Sequence, residues 1–197
     1  MSRGYQPGNK IDRQYGTLDE IRPDHLRRYI FAAEYLEKIL PQGARVLDSA
    51  CGCGYGSWLL HGAGFDVTGV DIAEEAISYA EKNYQGPKYV QKDCYQIEGS
   101  WDAVVTFETL EHLDRPEAFL ANLQTPLLIA SVPNENMMPF YAERFVDDKY
   151  PHIRHYTPDQ FTVMLNRPVL ERFCQRSKTP GDVEPGTDGL FLIYICE

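Results

Sequence analysis

The stretch Arg45-Val46-Leu47-Asp48-Ser49-Ala50-Cys51-Gly52-Cys53-Gly54-Tyr55-Gly56-Ser57 constrains this chain more than any other. It opens as a short apolar run after the turn residues Pro41-Gln42-Gly43, which reads as a buried parallel strand. It then breaks into glycines and small residues and resumes as Trp58-Leu59-Leu60 at helical spacing. Strand, tight Gly-rich turn and helix in that order form the first half of a nucleotide-binding βαβ unit. The glycines let the backbone pass close under a ligand where a Cβ would collide. The helix start beyond them offers N–H groups that lack intrahelical partners.

Asp48 decides what kind of ligand suits the loop. A carboxylate closing this strand repels phosphate, whereas a helix N-terminus without a nearby acid attracts it. The position suits a ligand that is cationic at that end, such as an α-amino group or a sulfonium. The glycines run G-x-G-x-G (Gly52, Gly54, Gly56), so the dinucleotide pattern G-x-G-x-x-G is not met. On these residues the chain resembles the class I S-adenosylmethionine-dependent methyltransferases, whose first motif reads acid-x-G-x-G-x-G. Ala50 stands where the first glycine is usual. The resemblance spans about residues 25–196. It implies an α/β fold with a doubly wound, Rossmann-like sheet of order 3-2-1-4-5-7-6, an antiparallel last strand and helices on both faces. It also implies S-adenosylmethionine as cofactor.

Two more strands end in an acid. Phe65-Asp66-Val67-Thr68-Gly69-Val70-Asp71 places Asp71, followed by Ile72, a little over twenty residues beyond the start of the loop, where a ribose-binding carboxylate is expected. Lys88-Tyr89-Val90-Gln91-Lys92-Asp93-Cys94 ends in Asp93, and in the resembled family such an acid accepts from the adenine amino group. The N–H of the next residue, here Cys94, meets a ring nitrogen. The cofactor-binding residues implied are Asp48, Ala50, Cys51, Gly52, Gly54, Asp71, Ile72, Asp93, Cys94 and Phe107. Ahead of the loop, Thr17 and Glu20 make a capping box. Leu26, Tyr29, Ile30, Ala33 and Leu36 then recur at helical spacing until Pro41. The run His25-Leu26-Arg27-Arg28-Tyr29-Ile30-Phe31-Ala32 resembles the leading helix of small glycan- and metabolite-modifying methyltransferases. There Arg28 or Tyr29 would reach the cofactor's carboxylate.

Trp101-Asp102-Ala103-Val104-Val105-Thr106-Phe107 is a fourth strand that delivers the chain to Glu108-Thr109-Leu110-Glu111-His112. If this stretch is helical, Glu108, Glu111 and His112 share one face and can do acid–base work or hold a divalent cation. The E-x-x-E-H pattern is similar to that of quinone-pathway O-methyltransferases, in which such residues can gather a cation. His112 and Glu111 are the candidate catalytic residues, His155 is a second candidate base, and no metal ligand is assigned. Asn134, at the end of a fifth strand (127–132), is a polar contact for substrate. Residues 137–156, rich in aromatics and charges, read as a lid or binding loop. Thr157 caps a last helix, and 169–174 with 189–196 form an antiparallel edge hairpin.

A length of 197 residues suits one domain over 1–197, with 1–16 an irregular arm. The formal charge of −10 argues against nucleic acid as partner, and no apolar run reaches the ~20 residues of a membrane span. The five cysteines are odd in number, and with no apolar signal core at the start they suggest reduced thiols in a cytoplasmic protein. The expected function is methyl transfer to a small polar acceptor, first an oxygen of a metabolite or sugar. The alternatives are N-methylation and a cofactor-binding protein without catalysis.

Overall fold

The computed structural model describes residues 17–144 and 151–197. Five parallel strands build most of its sheet: β1 (Arg45–Ser49), β2 (Asp66–Asp71), β3 (Lys88–Gln91), β4 (Ala103–Phe107) and β5 (Leu128–Pro133). They are followed by β6 (Val169–Gln175), the short β7 (Glu184–Pro185) and β8 (Phe191–Cys196). The order is β3-β2-β1-β4-β5-β8-β6-β7, with β8 antiparallel to both β5 and β6. This is the arrangement the resemblance implied, extended at one edge by β7.

Helices α1 (Pro23–Glu37), α2 (Tyr55–Gly62), α3 (Glu74–Asn83), α4 (Pro116–Asn122) and α5 (Pro158–Leu165) cover the sheet. Alternate strand residues point to opposite faces, and the core divides accordingly. Val46, Val105, Ile129 and Ile193 pack with Tyr29, Leu36, Leu60 and Ile77 of α1, α2 and α3. Their neighbours Leu47, Val104, Leu128 and Leu192 pack with Phe119, Leu120, Phe161 and Leu165 of α4 and α5. Every residue of β4, β5 and β8 is buried, as strands covered on both faces must be.

The leading helix differs from the sequence reading. The Glu20 carboxylate accepts from the Thr17 N–H at 2.9 Å, yet this bond closes only a 3-10 turn over Leu18–Glu20. Pro23 pushes Arg22 into an extended conformation (φ −56°, ψ 134°) and supplies the first turn of α1 itself. The last helix starts as expected: Thr157 Oγ1 accepts from the Gln160 N–H at 3.3 Å, and Gln160 Oε1 accepts from the Thr157 N–H at 2.9 Å. The expected lid falls partly on 145–150, outside the described residues. The flanking residues include a 3-10 turn (Ala142–Arg144) and the segment 151–156 folded back against β5 through the Asn134–Tyr156 bridge.

The third glycine of the motif serves packing. A Cβ on Gly56 would lie 2.1 Å from the Tyr29 ring, whereas one on Gly62 would meet nothing within 4 Å. Gly56→Ala is therefore expected to destabilise the fold by about 1–3 kcal/mol. Gly62→Ala, which only restricts the unfolded chain, should stabilise it by about 0.4–1 kcal/mol. Urea unfolding of both variants measures the contrast.

Candidate active site

A cavity of about 370 Å³ opens at the carboxyl ends of β1 to β4, the usual ligand position in an open α/β sheet. Among the expected cofactor residues, Arg28, Ala50, Cys51, Gly52 and Asp71 line it, as do Ile72, Asp93, Cys94 and Phe107. Of the catalytic candidates, His112 lines it.

The loop under the cavity is tightly specified. Ala50, Gly52 and Gly54 have φ of 59°, 54° and 87°, so the loop turns through the left-handed region, and Ala50 does so without glycine's freedom. Asp71 braces the loop from the next strand: Oδ2 accepts from the Gly52 N–H and Oδ1 from the Ala73 N–H, each at 2.9 Å. A carboxylate has further lone pairs, so these bonds leave it able to accept ligand hydroxyls. Asp93 starts the 3-10 turn Cys94–Gln96 by accepting from the Tyr95 N–H at 3.0 Å.

Other expected site residues lie outside the cavity lining. Asp48 is fully buried, with Oδ1 accepting from the Tyr29 hydroxyl (2.9 Å) and Oδ2 from the Ser57 hydroxyl (2.6 Å). Burial pushes its carboxyl up to about 7 against these bonds. Its hydroxyl partners belong to α1 and α2, so it braces those helices. Gly54 lies against Ala80 and Tyr89. Asn134 is also fully buried: its amide donates to the carbonyls of Thr187 (3.1 Å) and Gly189 (2.8 Å), clamping the approach to β8.

The E-x-x-E-H stretch does not form one helical face. Glu108 has φ 50°, and only Leu110–His112 makes a 3-10 turn. The left-handed residue turns Glu108 toward α1, where Oε1 lies 2.6 Å from Arg28 Nη1. Glu111, which is fully buried, and His112 instead meet His152, with one donor atom of each within 4.8 Å of the others. His112 Nδ1 lies 3.1 Å from the Pro151 carbonyl, and His155 Nδ1 lies 2.6 Å from that of Met138. A carbonyl only accepts, so both Nδ1 atoms carry hydrogen and the lone pairs sit on Nε2. His155 Nε2 accepts from His152 Nδ1 at 2.9 Å. His155, absent from the cavity lining, thus orients His152.

Sequence reasoning missed His25, Tyr55 and His152, all of which line the cavity. His25 precedes Arg28 and Tyr29 by three and four positions on α1, a spacing that signals a shared face. Its Nδ1 lies 3.1 Å from the Tyr55 hydroxyl, and burial holds its pKa well below the usual histidine value. Burial and the neighbouring rings His112 and His155 hold that of His152 down at about 3. No spacing in the sequence links His152 to His112, since the chain between them makes a long excursion.

Fold and cavity together define a class I S-adenosylmethionine-dependent methyltransferase. A family model described as a methyltransferase domain matches residues 19–168, and the chain belongs to that family. Its cofactor is S-adenosylmethionine; the cavity's size and the carboxylates of Asp71 and Asp93 at successive strand ends fit that molecule. A ubiquinone biosynthesis O-methyltransferase of Rickettsia felis is 30% identical over 123 residues, 57% of this chain and 48% of the relative. The chain spans between about a third and a half of the length of the curated relatives it matches. Among solved structures, the magnesium protoporphyrin IX methyltransferase of Synechocystis PCC 6803 with bound S-adenosylhomocysteine superposes with TM-score 0.66. It is 20% identical, covering 93% of this chain and 88% of the other. A TehB-like methyltransferase from Corynebacterium glutamicum gives TM-score 0.61 at 19% identity, covering 87% and 93%. Among the described residues, no helix is long and apolar enough to cross a membrane.

The state of Asp48 makes stability depend on pH. Its folded pKa lies above the ordinary 3.8, so the folded state holds the proton more tightly than the unfolded chain. The stability gained is complete below pH 3.8 and is lost as pH rises toward 7. Asp48→Asn should remove this slope, gaining on wild type by on the order of a few kcal/mol between pH 4 and 8. Urea unfolding of both proteins across that range measures it.

Proposed function

We propose that this domain methylates an oxygen of a small polar acceptor, with His112 receiving the acceptor's proton at Nε2. The observation that carries this reading is His112 itself. It lines the cavity just beyond β4, and its Nδ1–H is committed to the Pro151 carbonyl, which leaves Nε2 as the basic nitrogen. Bound S-adenosylmethionine supplies an electrophilic methyl group on a sulfonium. Asp71 would hold the ribose hydroxyls, and Asp93 with the Cys94 N–H the adenine. Phe107 and Thr109 also line the cavity and would flank the acceptor. Holding acceptor and methyl in line provides most of the acceleration, and a positioned base adds the rest. The O-methyltransferase names of several relatives support oxygen over nitrogen.

A second reading rests on the Glu111–His112–His152 cluster. Two imidazoles and a carboxylate suit a divalent ion of the zinc or manganese kind, which would lower the acceptor's pKa in place of a base. Glu108, expected in such a set, is turned away to Arg28.

An acceptor screen that measures S-adenosylhomocysteine formation, with and without chelator, tests the proposal. Binding of S-adenosylhomocysteine without its formation from any acceptor would instead support a non-catalytic protein. With an acceptor in hand, His112→Ala should lower turnover by about 10²–10⁴-fold while S-adenosylhomocysteine affinity stays close to wild type. Loss of activity in chelator, restored by added zinc or manganese, would select the cation reading. Full activity of His112→Ala in chelator would reject both.

A further inference from the structure

Where α1 crosses the ends of β4 and β5, charged groups alternate along a line whose middle members, Asp24 and Arg28, are buried. Arg22 Nη2 lies 2.6 Å from Asp24 Oδ2, Asp24 Oδ2 lies 3.7 Å from Arg28 Nη2, and Arg28 Nη1 lies 2.6 Å from Glu108 Oε1. Arg28 is enclosed. Its Nε donates to the Asp24 carbonyl (3.3 Å) and its Nη1 to Ser131 Oγ (3.3 Å), while the Phe191 ring covers its face at 4.5 Å. Nη2, which makes no hydrogen bond among the described residues, lies on the Asp24 side. The side chain is only 1% exposed.

Glu108 ends the line differently. Oε1 takes both Arg28 and the Ser131 hydroxyl (2.9 Å), and Oε2 has no hydrogen-bond partner among the described residues. The side chain is 17% exposed and lines the cavity. Its left-handed backbone (φ 50°) is held by its N–H, which reaches Ser131 Oγ at 3.2 Å and the Ser131 carbonyl at 3.1 Å. A non-glycine residue kept in that conformation by several bonds marks a group whose direction matters. The charge that this end of the line presents to the cavity is therefore a carboxylate, with the guanidinium behind it already balanced.

We propose that Glu108 recognises the α-ammonium of the cofactor's methionine end, and that Arg28 and Ser131 are positioning residues that aim it. This rests on S-adenosylmethionine being the cofactor. An incoming carboxylate on Arg28 would lie beside that of Glu108 at low dielectric, where like charges repel strongly. An incoming ammonium meets the oxygen that has no other partner. In this reading the carboxylate-binding role expected for Arg28 falls away, and the cationic selectivity expected of Asp48 passes to Glu108.

Calorimetric titration of the intact protein tests it without any acceptor. The probes are S-adenosylhomocysteine, its decarboxylated analogue, which keeps the ammonium, and its deaminated analogue, which keeps the carboxylate. The wild type should bind the decarboxylated analogue nearly as tightly as the parent and the deaminated one about tenfold to a hundredfold more weakly. Glu108→Gln should weaken the first two ligands by a similar factor and leave the third unchanged. Should that variant not fold, Ser131→Ala, which frees Glu108 to wander, is expected to shrink the difference between the analogues. The opposite wild-type pattern, in which losing the carboxylate is costly and losing the ammonium is not, overturns the proposal and returns the role to Arg28. Equal losses for both analogues, unchanged in Glu108→Gln, overturn it too. Failure of S-adenosylhomocysteine itself to bind would instead refute the cofactor on which the proposal rests.

Discussion

Asp48 lies at the junction of β1, α1 and α2, with both carboxylate oxygens occupied by hydroxyl donors from the two helices. Those two bonds fix how the leading helix crosses the Gly-rich loop, and the remaining contacts follow from that crossing. Tyr29 can reach Asp48 only because Gly56 has no side chain to hold its ring away. Ser57 can reach it only because Gly69 of β2 leaves room, since a Cβ there would lie 2.6 Å from the Ser57 hydroxyl. Once α1 is seated, His25 and Arg28 enter the cavity wall from one side. The junction couples fold to site because removing either hydroxyl leaves a buried carboxylate short of a donor, a costly state at low dielectric.

The site is an assembly of strand ends. Asp71, Asp93 and Glu108 sit at or just beyond the carboxyl ends of β2, β3 and β4, and parallel pairing brings those ends to one edge of the sheet. Each acid also has a backbone task, and those tasks limit what it can do. Asp71 braces the loop through Gly52, Asp93 starts a turn, and Glu108 is held in a left-handed conformation by Ser131. Across the cavity, Pro151 and His152 complete the wall, and the His155–Met138 bond sets which nitrogen His152 offers.

Much of this was legible in the chain. The apolar run into Asp48, the glycines and the acid at the end of each following strand identify an α/β sheet with a small-molecule site at its carboxyl edge. The expected strand order is the observed one apart from β7, which is too short to announce itself by periodicity. Ala50, Cys51, Gly52, Asp71, Ile72, Asp93, Cys94 and Phe107, named from the loop and strand ends, all line the cavity. They were readable because their positions depend on local geometry, a tight turn and the residue after a strand.

Where a residue type was clear, its direction was not legible in the sequence. Asp48, Asn134 and His155 have the chemistry of site residues and serve as braces. Glu108 was grouped with Glu111 and His112 on helical spacing, and a single left-handed residue separated them. The sequence by itself determined the class of sheet, the loop and the kinds of groups at its edge, because these follow from periodicity, backbone freedom and charge over short stretches. Only the tertiary structure decided which carboxylates line the cavity and which histidines meet. Those outcomes depend on contacts between residues far apart in the chain, such as Arg28 with Ser131 and His112 with Pro151, whose geometry is set by packing rather than spacing.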